Sequence, residues 1–194
     1  MEDINKILEL FDSREKWNAY IELSYLRSAL VNELISRLKS QLCSIAEDRL
    51  MDSGWGFNFY DNGQISIYLK RNSSMRIMIE TSSWGNEWYR RGASIYVNPS
   101  MVDCNTVFDA INANKHLLPM ADYVDNKENS LWHLFVKQIP ARIWGVENNV
   151  TSFDECLFGA KDNAQDLARN IWNDVFQPFA KKEIANLMLN MIKE

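Results

Sequence analysis

The stretch Trp55-Gly56-Phe57-Asn58-Phe59-Tyr60, then Asp61-Asn62-Gly63, then Gln64-Ile65-Ser66-Ile67-Tyr68-Leu69-Lys70, then a polar turn and Met75-Arg76-Ile77-Met78-Ile79-Glu80, decides the fold. Apolar and polar residues alternate within each segment. Successive residues of a strand point to opposite faces, so each segment can bury one face and leave the other wet. Ile65, Ile67 and Leu69 share a face of the second strand, and Ile77 and Ile79 share a face of the third. Asn62-Gly63 suits a type I′ hairpin turn, which needs positive φ at both central residues. Gly85-Asn86 marks a second turn, residues 88–97 supply a fourth strand, and Asn98-Pro99 ends it. Residues 132–139 alternate again and give a fifth strand, stopped by Pro140.

Working outward, both flanks carry helical periodicity. Residues 2–11 place Ile4, Ile7, Leu8 and Phe11 on one face, and Asp12-Ser13 can end that helix and cap the next. From Arg14 to about Leu50, Trp17, Ile21, Tyr25, Leu23, Leu26, Leu30, Leu34, Leu38, Leu42 and Ile45 recur at three- and four-residue steps. A helix this long is expected to bend or to lie across a whole sheet. A coiled coil fits less well, because Ser28, Asn32, Ser36 and Ser40 hold outer positions that charged pairs usually fill. Asp103 or Asn105 caps a helix through about Leu118, with Val107, Phe108 and Ile111 inward, and residues 121–130 read as a polar loop. Ser152-Phe153-Asp154-Glu155 fits a capping box over one short turn. Residues 163–193 are helical, with Pro178 splitting the helix after Phe176. Met75, Met78, Met188 and Met191 read as core filler. The expected fold is a single α+β domain over residues 1–194: an antiparallel meander of four to five strands (about 55–97 plus 132–139) covered by long N-terminal and C-terminal helices.

Composition narrows the function. The chain has 194 residues, long enough to bury roughly 70% of its unfolded surface. Seven Trp, seven Tyr and nine Phe supply both core and surface anchors. The net charge of −5 argues against tracking nucleic-acid phosphates, which calls for a basic excess, and fits a basic protein partner. Cys43, Cys104 and Cys156 are widely spaced with no CxxC pair, as in a cytoplasmic protein with reduced thiols. The amino terminus shows no secretory pattern, and the apolar runs are far short of the ~20 residues that span a membrane.

Signals of catalysis are weak. His116 and His133 sit in different elements without Cys, Asp or Glu at ligand spacing, so neither a metal nor a cofactor is expected. No phosphate loop or GxSxG elbow is present. The succession helix, three strands, helix, strand resembles the core of the PD-(D/E)xK nuclease superfamily. That family sets an Asp on the second strand and an acidic-x-Lys on the third to hold Mg²⁺. Here Asp61 stands in the turn before strand two, and Glu80-Thr81-Ser82 ends without the Lys. Glu80 reads instead as a solvated strand residue opposite Arg76. The aromatic meander with Gly54-Trp55-Gly56, the segment Leu131-Trp132-His133-Leu134-Phe135 followed by Ile143-Trp144, and the terminal helix also resemble the non-catalytic C-terminal region of phage and bacterial PD-(D/E)xK proteins. That resemblance implies an accessory or recognition module, and no catalytic residue carries over.

The surface candidate is Trp84-Gly85-Asn86-Glu87-Trp88-Tyr89-Arg90-Arg91. Trp84, Trp88, Tyr89, Arg90 and Arg91 are the residue types that dominate binding hot spots. They could also stack a nucleobase, or Trp84 and Trp88 could fold back onto the sheet. The expected function is a non-catalytic protein-binding module, an inhibitor, immunity or adaptor factor of phage or mobile-element origin. The alternative is a divergent Mg²⁺-dependent nuclease or nucleic-acid binder. A third arrangement is a homodimer through the long first helix.

Overall fold

The computed structural model describes residues 11–60, 64–79, 92–144 and 153–192, apart from the side chains of 141, 153–156, 158 and 159. The N-terminal helix expected over 2–11 falls mostly outside them, as do both expected turn pairs, Asn62-Gly63 and Gly85-Asn86.

The first described element is the helix α1 (Arg14–Arg49). Ser13 caps it, its side chain accepting from the Lys16 amide at 3.2 Å. At the other end the Leu50 amide donates to the Ala46 carbonyl. Asp52 (φ 58°) and Gly54 (φ 81°) then turn the chain sharply into the sheet. An added Cβ at Gly54 would stand 3.1 Å from the Ala185 Cβ, so glycine serves both the backbone angle and the close approach.

The sheet has six strands: β1 (Trp55–Phe59), β2 (Ile65–Leu69), β3 (Met75–Ile79), β4 (Gly92–Val97), β5 (Val124–Asp125) and β6 (His133–Gln138). Their order is β1-β2-β3-β4-β6-β5, with every pair antiparallel. The meander and the strand near 132–139 appear as expected. The two-residue strand β5 lies inside the segment read as a loop. Its residues are exposed and too few to show alternation, and only pairing with β6 makes them a strand.

One sheet face carries Trp55, Phe59, Ile65, Ile67, Leu69, Met75, Ile77, Ile79, Ala93, Ile95, Val97 and Phe135, all buried. Helices cover it. Helix α2 (Cys104–Ala113) is capped by Asp103 and stacks Phe108 on Phe135 at 5.0 Å. It ends five residues earlier than expected, and a 3₁₀ turn, Lys115–Leu117, carries the chain to Pro119. Helix α3 (Phe153–Ile171) merges the expected short turn with the start of the terminal helix. Asn163 breaks helical geometry inside it and accepts from the Asp166 amide at 3.1 Å, capping the second segment where the sequence places a helix start. The chain then widens into a π-turn, Trp172–Phe176, with the Gln177 amide donating to the Trp172 carbonyl at 2.8 Å. Pro178 has no N–H to continue the ladder, and the helix resumes only as α4 (Lys182–Met191). Phe57 meets Trp172 and Phe176 at 6.3 Å, tying this turn to β1. Met75, Met78, Met188 and Met191 are all buried.

Helix α1 neither crosses the sheet nor sinks fully into the body. Leu34, Leu38, Leu42 and Ala46 are buried, with α3 and β1 as its neighbours. Residues 14–33 are exposed apart from half-buried Ile21 and Val31. Trp17, Leu23, Tyr25, Leu26 and Leu30, which share helical periodicity with the buried leucines, are each at least 45% exposed. The body ends about half-way along the helix, and a helix can outrun the surface it packs on. The edge strand β1 lies beside the buried half of α1, while the opposite edge strand is only two residues long; both limit stray edge pairing. Among the described residues, no helix is long and apolar enough to cross a membrane.

Candidate functional site

Trp84, Trp88, Tyr89, Arg90 and Arg91 lie outside the described residues, as do Asp61 and Glu80. The described residues on either side are Ile79, ending β3, and Gly92, opening β4. Gly92 is dictated by its neighbour: an added Cβ would stand 2.1 Å from the Lys137 carbonyl oxygen.

Two described surfaces gather chemistry. The first is the sheet face away from the helices. Cross-strand register sets Gly56, Tyr68, Arg76, Tyr96 and His133 in one row over five strands. A β-bulge between Ile95 and Tyr96 absorbs the offset that brings His133 into line. The Arg76 guanidinium donates to the Tyr60 hydroxyl at 2.9 Å and lies 6.0 Å from the Tyr96 ring centre. Tyr96 meets His133 edge-on at 5.5 Å. Arg76, Tyr96 and His133, with Gln64, Met78 and Trp132, line a shallow depression of about 140 Å³. Trp132, just before β6, is exposed.

The Ser94 hydroxyl is 2.9 Å from His133 Nδ1 and 3.4 Å from the Met78 carbonyl. Ser94 is buried, so this contact orients the imidazole rather than presenting a nucleophile to a substrate. The adjoining row Ser66, Met78, Ser94 and Val136 is likewise buried. The cysteines follow the same logic: burial raises the Cys43 and Cys104 thiols, which disfavours reactive thiolates. Among the described residues, no group of three or more His, Cys, Asp or Glu is placed to hold a metal ion.

The second surface is the exposed half of α1. Leu23, Leu26 and Leu30 are 67%, 60% and 58% exposed and fall on one stripe at three- and four-residue spacing. At its N-terminal end Phe11, Trp17 and Tyr20 form an aromatic cluster, with Phe11 4.9 Å from Tyr20 and 5.3 Å from Trp17. Sequence reading gave Trp17, Leu23, Leu26 and Leu30 only as part of the helical periodicity of residues 14–50. Periodicity carried no signal of the split: Leu26 and Leu30 continue the four-residue line of Leu34, Leu38 and Leu42, and only the extent of the body decides which of them are covered. Alternation places Tyr68, Arg76 and Tyr96 each opposite the buried face of its own strand, but only cross-strand register makes them a row.

No protein-family model matches this chain, and neither a curated protein nor a solved structure does.

Proposed function

We propose that this chain is a non-catalytic protein-binding module, an inhibitor, immunity or adaptor factor, that docks its partner along the exposed half of α1. The observation carrying this reading is the stripe Leu23, Leu26 and Leu30, left in solvent on a helix that the body does not cover. Anchors at i, i+3 and i+7 suit helix-in-groove recognition. Burying the exposed part of each leucine contributes about 1–2 kcal/mol, with the aromatic cluster adding to it. The acidic balance favours a basic rim on the partner. The accessory role implied by the resemblance to non-catalytic regions of nuclease-superfamily proteins is compatible with this. The test compares tagged wild type and Leu26→Glu for a stoichiometric partner from host extract, with circular dichroism confirming equal folding. Wild type retains the partner and the variant loses it. Retention unaffected by the substitution, together with Mg²⁺-dependent DNA cleavage by the chain, refutes the reading.

The row Tyr68, Arg76, Tyr96 and His133 with exposed Trp132 favours a second reading, binding of single-stranded nucleic acid by stacking. On that reading Trp132→Ala weakens oligonucleotide binding about tenfold. Absence of binding by the wild type at low salt removes it.

A further inference from the structure

We propose that the cleft between the C-terminal half of α1 and the strands β1 and β2 binds a small, uncharged, largely apolar molecule whose carbonyl oxygen accepts from the Trp55 indole N–H. The site lies away from the exposed half of α1 and does not depend on what that half docks. Cys43, Ala46, Glu47 and Leu50 recur at three- and four-residue steps, so they face the cleft from one side of the helix, with Met51 just beyond. Trp55, Phe57, Tyr68 and Lys70 form the other wall. The space between them is about 380 Å³, within the range of small-molecule sites. Met51 is exposed and Tyr68 half-buried, so the cleft can widen at both without disturbing the core.

One unpaired donor selects the ligand. The Trp55 backbone amide donates to the Ser53 hydroxyl at 3.2 Å. The indole Nε1–H of the same residue is buried and has no acceptor among the described residues. A buried donor left unpaired is costly, and folded chains rarely keep one without a role. The Ser66, Ser74 and Tyr123 hydroxyls are also buried without a hydrogen-bond partner among the described residues, but none of them borders this cleft, whereas Trp55 does.

Charge and lining set the rest of the ligand. Glu47 and Lys70 stand on opposite walls and cancel, so the cleft favours neither an anion nor a cation. Burial raises the Cys43 thiol, which keeps that wall neutral as well. Ala46, Leu50, Met51 and Phe57 supply apolar contact. An apolar body with one neutral acceptor matches all three.

Binding of acetophenone to the full chain tests this, with ethylbenzene as a control of matching size and no acceptor. In isotope-labelled wild type, acetophenone is expected to move the Trp55 indole N–H proton resonance downfield and saturably, as a new hydrogen bond does, and ethylbenzene is expected to give no downfield shift. The preference for acetophenone over ethylbenzene should fall about tenfold in Trp55→Phe, equal to one neutral hydrogen bond. Cys43→Phe, which puts a ring into the cleft from a half-buried position, should weaken acetophenone at least about tenfold with circular dichroism unchanged. If Trp55→Phe does not fold, the wild-type resonance and Cys43→Phe decide. A wild type that binds no acetophenone at millimolar concentration overturns the site, as does binding that leaves the Trp55 resonance unmoved or is indifferent to Cys43→Phe. An unchanged preference in a folded Trp55→Phe overturns the role of the indole donor.

Discussion

Replacing Gly56 by alanine should destabilise the protein through one identifiable clash. Gly56 and Tyr68 are a directly opposed cross-strand pair of β1 and β2. A Cβ on Gly56 would stand 2.4 Å from Tyr68 Cζ, 2.7 Å from its hydroxyl oxygen and 2.8 Å from Cε2. Carbon atoms in contact sit about 3.5–4.0 Å apart, so the ring must retreat by about 1 Å or more. Tyr68 is half-buried and can swing outward, which limits the cost. Overpacking of this kind costs about 1–3 kcal/mol. Alanine recovers about 0.5–1 kcal/mol, because glycine loses more freedom on folding. The net loss is about 1–2 kcal/mol, read as a lower urea midpoint at unchanged slope. The cause is isolated by a double-mutant cycle. With Tyr68→Ala in place there is no ring to meet, so adding Gly56→Ala should stabilise by the about 0.5–1 kcal/mol of recovered freedom, giving a coupling of about 1–3 kcal/mol. Gly56→Ala as stable as wild type, or an equal loss in both backgrounds, refutes the reasoning.

Lys137 reaches the core side of the sheet, 3.2 Å from both the Asp174 carboxylate and the Asp174 carbonyl, with Asp122 at 3.8 Å. Lys137→Ala should cost about 2 kcal/mol by thermal melting, below the value for a fully buried pair because Asp174 keeps some solvent, and Asp174→Asn added to it should recover part of the loss. Leu38→Ala, at the buried heart of α1, should cost about 3 kcal/mol, whereas Leu26→Ala should change monomer stability by less than about 0.5 kcal/mol. Equal effects would contradict the division of α1 into buried and exposed halves. Asp103 accepts from the Thr106 hydroxyl and from the Asn105 and Thr106 amides, which hold its carboxyl below the ordinary value. Its contribution is therefore full above the unfolded pKa of about 4 and lost as pH falls through the lower folded value. Chemical denaturation from pH 7 to pH 2 should show a smaller acid-side loss in Asp103→Asn than in wild type.

The sequence by itself determined the longer strands, their faces and several helix caps and breaks, because those follow from local rules. Alternation placed Ile65, Ile67, Leu69, Ile77 and Ile79 on one face, Ser13 and Asp103 capped helices as side-chain acceptors do, and Pro178 broke the terminal helix because it has no N–H to give. Only the tertiary structure decided what each apolar stripe meets. Leu23, Leu26 and Leu30 have the same periodicity as Leu34, Leu38 and Leu42, yet the first three stay in solvent and the others are buried. Likewise β5 exists only because β6 pairs with it, and Tyr68, Arg76, Tyr96 and His133 form a row only through register across four strands. Periodicity is a property of one segment, set by its own dihedral angles, whereas burial and register are relations between segments far apart in the chain, fixed only when the helices and strands share one core.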